Sequence, residues 1–190
     1  MYQNVIFDLD GTLLNTLEDL KDSTNYALAQ HSYPTRTLEE VRCFVGNGIR
    51  KLIDRAVPEG TSVEKTDKVF ATFREYYATH SRVKTSMYEG MEQVMDALKE
   101  QNISMAIVSN KADDAVKDLA KYYFAKYIDV AIGEREGISR KPAPDSVYEA
   151  MRLLGATKEN TVYVGDSDVD RATAKNAGIP CISVTWGFRS

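Results

Sequence analysis

The sequence predicts an α/β fold: a parallel sheet wrapped by helices on both faces, with a small helical module inserted after the first strand. Three observations predict it. Short β-rich apolar runs alternate with helical stripes, the signature of βαβ units. Roughly 70 residues between the first two strands hold no convincing strand, far more than a crossover of about 10–15 residues requires. The chain has 190 residues, 43% hydrophobic and 27% charged. That is ordinary composition for one domain, or one domain with an insert.

The strand runs, in order, are Val5-Ile6-Phe7, Ile103 to Val108, Val130-Ala131-Ile132, Val162-Tyr163-Val164, and Cys181 to Val184. Between them, Met91, Val94, Met95 and Leu98 recur at helical spacing. So do Val116, Leu119, Ala120 and Tyr123, and then Val147, Ala150, Met151 and Leu154. Inside the inserted stretch Leu17, Leu20, Thr24, Ala27 and Leu28 share one helical face, and Val69, Phe70, Phe73 and Tyr77 share another. Pro34, Gly46, Gly48, Pro58 and Gly60 punctuate it. The expected division is a core of residues 1–14 and 87–190 around a helical module of residues 15–86. Asn15 or Thr16 is expected to cap the first inserted helix, with Asp19 completing a box-like pattern after Thr16. Asp168 is expected to cap a helix starting at Val169. Trp186 and Phe188 are read as aromatics that close the surface after the last strand.

Composition narrows the partners. Twenty-four Lys and Arg against 28 Asp and Glu give a net charge of −4, which offers no global attraction for nucleic acid or an anionic membrane. No apolar run approaches the ~20 residues of a membrane helix. Met1-Tyr2-Gln3-Asn4 lacks the basic-then-apolar pattern of a signal peptide, so a cytoplasmic location is expected. Cys43 and Cys181, the only cysteines, are expected to be reduced thiols in or near the core. His31 and His80 are isolated, which argues against a zinc site. The partner expected is a small molecule, and the chain is expected to be a monomer or homodimer.

In open α/β sheets ligands sit outside the carboxyl ends of the strands. The first strand ends in Asp8-Leu9-Asp10-Gly11-Thr12 and the second in Ser109-Asn110-Lys111. Lys141-Pro142 precedes the Asp145–Leu154 helix, and the fourth strand ends in Gly165-Asp166-Ser167-Asp168-Val169-Asp170. Asp8 and Asp10, two apart, would share a side of a regular strand. Adding Asp166 crowds three carboxylates whose repulsion calls for a cation, and hard oxygen ligands with room for water suit Mg²⁺. Lys141 and Ser109 complete a cradle for a tetrahedral dianion. Asp8 is then the candidate nucleophile, through an aspartyl-phosphate. Asp10 is the candidate acid for the leaving group and base for the attacking water.

These segments resemble the haloacid dehalogenase superfamily in its phosphatase branch. Asp8-Leu9-Asp10-Gly11-Thr12 is similar to its first motif, and Ser109, Lys141 and Gly165-Asp166-x-x-x-Asp170 to the other three, in order, over nearly the whole chain. The resemblance implies a Rossmann-like core with the helical insert as a cap. It implies Asp8 as nucleophile and Asp10 as acid/base. Mg²⁺ would be bound by Asp8, the Asp10 carbonyl and Asp166, and phosphate by Ser109, the Asn110 backbone and Lys141. Asp170 would lie behind, orienting Lys141. Val45-Gly46-Asn47-Gly48, Met87-Tyr88-Glu89-Gly90 and the tail Ile182 to Arg189 are similar to the phosphoglycolate phosphatase group. That likeness points to Asn47 or Arg50 as cap residues touching substrate.

Asn15 stands where relatives commonly carry Asp, and the chain ends where relatives often continue with another helical stretch. The function expected is Mg²⁺-dependent hydrolysis of a small, phosphoglycolate-like monoester. Three alternatives share the fold. A sugar phosphomutase would show a Gly-x-Ser-Arg loop where Gly46-Asn47-Gly48-Ile49 stands. A metal-independent dehalogenase would not be expected to keep Asp10. A non-catalytic binding protein would have no need of this set of side chains.

Overall fold

The computed structural model describes residues 2–189. In chain order the elements are β1 (Asn4–Phe7), β2 (Leu14–Asn15), α1 (Leu17–Gln30), α2 (Leu38–Phe44), α3 (Ile49–Ala56), α4 (Val63–His80), β3 (Ser86–Met87) and α5 (Met91–Glu100). There follow β4 (Ser104–Ala112), α6 (Asp113–Tyr123), β5 (Val130–Glu134), α7 (Asp145–Leu154), β6 (Thr161–Gly165), α8 (Asp168–Ala177) and β7 (Cys181–Ser183). The chain divides into two compact units, Met1–Asn15 with Met87–Ser190, and Thr16–Ser86.

The first unit is built on a five-stranded sheet of order β5-β4-β1-β6-β7, parallel throughout. The alternation of side chains along each strand explains why both faces are apolar. Val5, Phe7, Met105, Ile107 and Val162 pack on one side with Met91 and Met95 of α5 and Val116 and Leu119 of α6. Ile6, Ala106, Val108 and Tyr163 face the other side, against Val147, Ala150 and Met151 of α7 and Ala174 and Ala177 of α8. From β1 the chain runs outward through β4 and β5, then returns past β1 to lay down β6 and β7. The direction reverses beside β1, so the carboxyl end of β1 is the switch point where a ligand crevice opens.

The second unit is helical. Leu17, Leu20, Thr24, Ala27 and Leu28 of α1 are buried, as are Val69, Phe73 and Tyr77 of α4. Thr37 and Glu40 form a capping box on α2. Gly48, with φ of +83°, starts α3. No helix among the described residues is long and apolar enough to cross a membrane.

Several local expectations differ from the structure. Thr16 precedes α1, but its side chain makes no capping bond. Asp19 does not complete a box there. Its buried carboxylate accepts from the Lys84 and Thr85 amides, each at 2.9 Å at closest, which satisfies two backbone donors 65 and 66 residues away. Ser167, not Asp168, caps α8, with Asp170 closing the box. Val94 is 48% exposed, so the buried stripe of α5 is narrower than its periodicity suggests. Cys43 is exposed and Cys181 half-buried.

Candidate active site

The register of β1 places its end between two neighbours. Phe7 lies opposite Ile107 of β4 and Val164 of β6. The residues that follow in the three strands, Asp8, then Ser109 onward, then Asp166, therefore emerge side by side. Sheet geometry alone brings together segments more than 100 residues apart.

At the centre is Lys141, whose side chain is 4% exposed. Its Nζ donates to Asp8 Oδ1 at 2.7 Å, to Asp170 Oδ1 at 2.7 Å and to the Tyr163 hydroxyl at 3.0 Å. Three acceptors match the three protons of an ammonium. Asn110 fixes the lysine's backbone: its Oδ1 accepts from the Lys141 amide at 2.8 Å, and its Nδ2 donates to the Lys141 carbonyl at 3.1 Å. Tyr163 also donates to Asp170 Oδ1 at 3.0 Å. Asp170 Oδ2 accepts from the Ser167 amide at 3.1 Å and from the Ser167 hydroxyl. Asp170 is wholly buried, so one carboxylate serves both the start of α8 and the lysine.

Burial and electrostatics pull these groups in different directions. Burial, then the charge of Asp170, pushes the Asp8 carboxyl well above its ordinary range, and Lys141 offsets this only in part. Burial pushes Asp170 up as well, but Lys141 and the hydrogen bonds of Lys141, Ser167 and Tyr163 bring it below the usual carboxylate value. Burial pushes Lys141 down, and the charges of Asp170 and Asp8 outweigh it, so the ammonium is held firmly. Asp166 is raised, first by burial.

Asp166 is held by backbone. Its Oδ2 accepts from the Phe188 amide at 2.7 Å. A Cβ on Gly187 would lie 2.3 Å from Asp166, and one on Gly11, whose φ is +90°, would lie 2.6 Å from its carboxylate. Both positions need a residue without a side chain. The tail after β7 therefore does more than close the surface. Trp186 Nε1 donates to the Thr12 carbonyl at 3.1 Å, anchoring the segment whose next amides grip Asp166.

Carboxylate oxygens of Asp8, Asp166 and Asp170 come within 4.8 Å of one another. Oxygen-only ligands in a set this compact, three carboxylates around one lysine, fit a hard divalent cation such as Mg²⁺. The Asp10 carboxylate lies elsewhere, on Lys111, whose Nζ donates to its two oxygens at 2.8 and 3.0 Å. Asp170 takes the third place in the acidic cluster. Ser109 is 6% exposed, and its Oγ accepts from the Lys111 amide at 3.2 Å. It caps no helix, since β4 continues to Ala112. Asn47 and Arg50 belong to the other unit. There Asn47 Oδ1 accepts from Arg55 at 2.9 Å, and Arg50 pairs with Asp54 at 2.8 Å and with Asp67.

Sequence reasoning missed three contributors. Lys111 was visible only as the neighbour of Ser109 and Asn110. Tyr163 reads as an ordinary strand aromatic, and its parity with Asp8 appears only once β1 and β6 are paired. The amide of Phe188 leaves no trace in a side-chain pattern.

A family model described as haloacid dehalogenase-like hydrolase matches residues 5–184. The chain is 34% identical over 190 residues to phosphoglycolate phosphatase 1 of Pseudomonas aeruginosa, covering 97% of this chain and 70% of that one. It is 34% identical to a phosphoglycolate phosphatase of Rhodobacter capsulatus, covering 97% and 85%. Among solved structures, a protein provisionally named phosphoglycolate phosphatase, from Lactobacillus delbrueckii subsp. bulgaricus, superposes with a TM-score of 0.93 at 35% identity, covering 100% and 88%.

Proposed function

Because the chain belongs to the haloacid dehalogenase-like hydrolases and is a phosphatase by its relatives, we propose that it hydrolyses a small phosphate monoester of the phosphoglycolate type through an aspartyl-phosphate on Asp8. One observation carries this reading: a buried lysine bonded to both Asp8 and Asp170, beside Asp166, at the switch point of the sheet.

In this reading Asp8 attacks phosphorus. As the Asp8–phosphorus bond forms, the ester bond breaks, and Asp10, carrying the proton it took from the water of the preceding turnover, passes that proton to the departing oxygen. Water then attacks the phosphoenzyme, Asp10 takes the water's proton, and the bond to Asp8 breaks to release inorganic phosphate. Lys141 lessens the repulsion between carboxylate and phosphate, and Asp170 and Tyr163 keep its ammonium aimed at Asp8. The Ser109 hydroxyl and the backbone amide of Asn110, at the end of β4, would suit a phosphate oxygen, the Asn110 side chain being committed to Lys141. Asp8 and Asp166, with the Asp10 carbonyl that the family pattern implicates, would hold Mg²⁺, which supplies the positive charge the buried carboxylates lack.

Phosphate release tests this, measured over a panel of small phosphate esters with Mg²⁺ and with EDTA. Release that needs Mg²⁺, favours two-carbon acid phosphates and vanishes in Asp8→Asn supports the proposal. Full activity in Asp8→Asn refutes the nucleophile, and activity undiminished by EDTA refutes the metal.

A further inference from the structure

Lys111 is buried as deeply as Lys141, and nothing in the reading above uses it. Its side chain is 2% exposed, a costly place for an ammonium unless a partner is fixed there. That partner is Asp10, gripped through both carboxylate oxygens. The reason lies in β4. Its register with β5 shifts between Val108 and Ala112, and at this irregularity Ser109, Asn110 and Lys111 are all buried. The strand end thus sends two neighbouring side chains to two different targets: Asn110 to the backbone of Lys141, Lys111 to Asp10. Asp10 consequently stands outside the cluster of Asp8, Asp166 and Asp170.

We infer that Lys111 is a positioning residue for the second half-reaction, holding the Asp10 carboxylate where it accepts the proton of the water that attacks the phosphoenzyme. The inference rests on the phosphatase reading of the site. A carboxylate anchored at both oxygens is oriented before water arrives, which removes a rotational search from the hydrolytic step. In that step the water oxygen bonds to phosphorus, the Asp8–phosphorus bond breaks, and the water's proton passes to Asp10. Formation of the phosphoenzyme from an ester with a good leaving group needs no proton from Asp10, so Lys111 should matter little there.

The experiment uses Lys111→Met and, as a milder change, Lys111→Gln, with p-nitrophenyl phosphate and Mg²⁺. Rapid quench measures the steady-state fraction of phosphorylated enzyme. In either variant that folds, kcat should fall about 10–100-fold and KM should fall with it. kcat/KM should stay within about threefold, and phosphoenzyme should accumulate. The proposal is overturned if kcat and kcat/KM fall by the same factor without phosphoenzyme, if kcat is unchanged, or if neither variant folds. Wild-type enzyme that releases no phosphate would instead refute the phosphatase reading.

Discussion

Replacing Lys141 by Met is the sharpest probe of the site's physics, because it keeps the side chain's bulk and removes its charge. In the parent protein one buried ammonium serves two buried carboxylates at 2.7 Å each and a tyrosine hydroxyl at 3.0 Å. Without it Asp8 and Asp170 face each other with no cation. Breaking a buried ion pair by removing one partner costs about 3–5 kcal/mol. At about 2–4 °C per kcal/mol for a chain of this size, Tm should drop by about 6–20 °C in EDTA.

The loss should depend on pH in a definite direction. Asp170 lies below its ordinary value in the parent, so the stability it contributes is present above the unfolded carboxylate pKa and lost as pH falls through the folded one. In the variant its pKa is no longer held down. Asp8, already pushed up in the parent, rises further, so a carboxyl takes up a proton readily and the variant's folded state favours acid more than the parent's does. The difference in Tm between parent and variant should therefore be greatest near pH 8 and shrink towards pH 5. Thermal melts followed by circular dichroism across that range provide the assay. An equal deficit at both ends, or a deficit under about 1 kcal/mol, would show that the lysine does not neutralise this pair.

Gly187→Ala pushes a methyl to within 2.3 Å of Asp166, so the Mg²⁺ concentration for half-maximal activity should rise at least about tenfold; an unchanged requirement would remove Asp166 from the metal site. Asp10→Asn should leave the phosphoenzyme persisting after substrate is exhausted, read by acid quench, and turnover at the parental rate would contradict its role as base. Asp19→Ala leaves the Lys84 and Thr85 amides without their acceptor, and chemical denaturation should show a loss of about 1–3 kcal/mol; Asp19→Asn, which keeps one acceptor oxygen, should lose less.

Residue order and residue type were enough to establish the sheet, its helical coverings and the chemical inventory. Val5-Ile6-Phe7 and Val162-Tyr163-Val164 read as strands of the core because they are short, rich in β-branched and aromatic residues, and followed at once by polar and turn-forming residues. The carboxylates and lysine stand out because charged groups beside strand ends are costly unless paired. Tertiary structure decided who pairs with whom. That Asp170 rather than the Asp10 carboxylate joins Asp8 and Asp166, that Lys111 claims Asp10, and that a backbone amide at Phe188 holds Asp166 follow from strand register and an irregular strand end. Residue types and spacings carry no record of those distances, because a two-residue repeat along one strand says which side a carboxylate starts from and nothing about the cation waiting across the sheet.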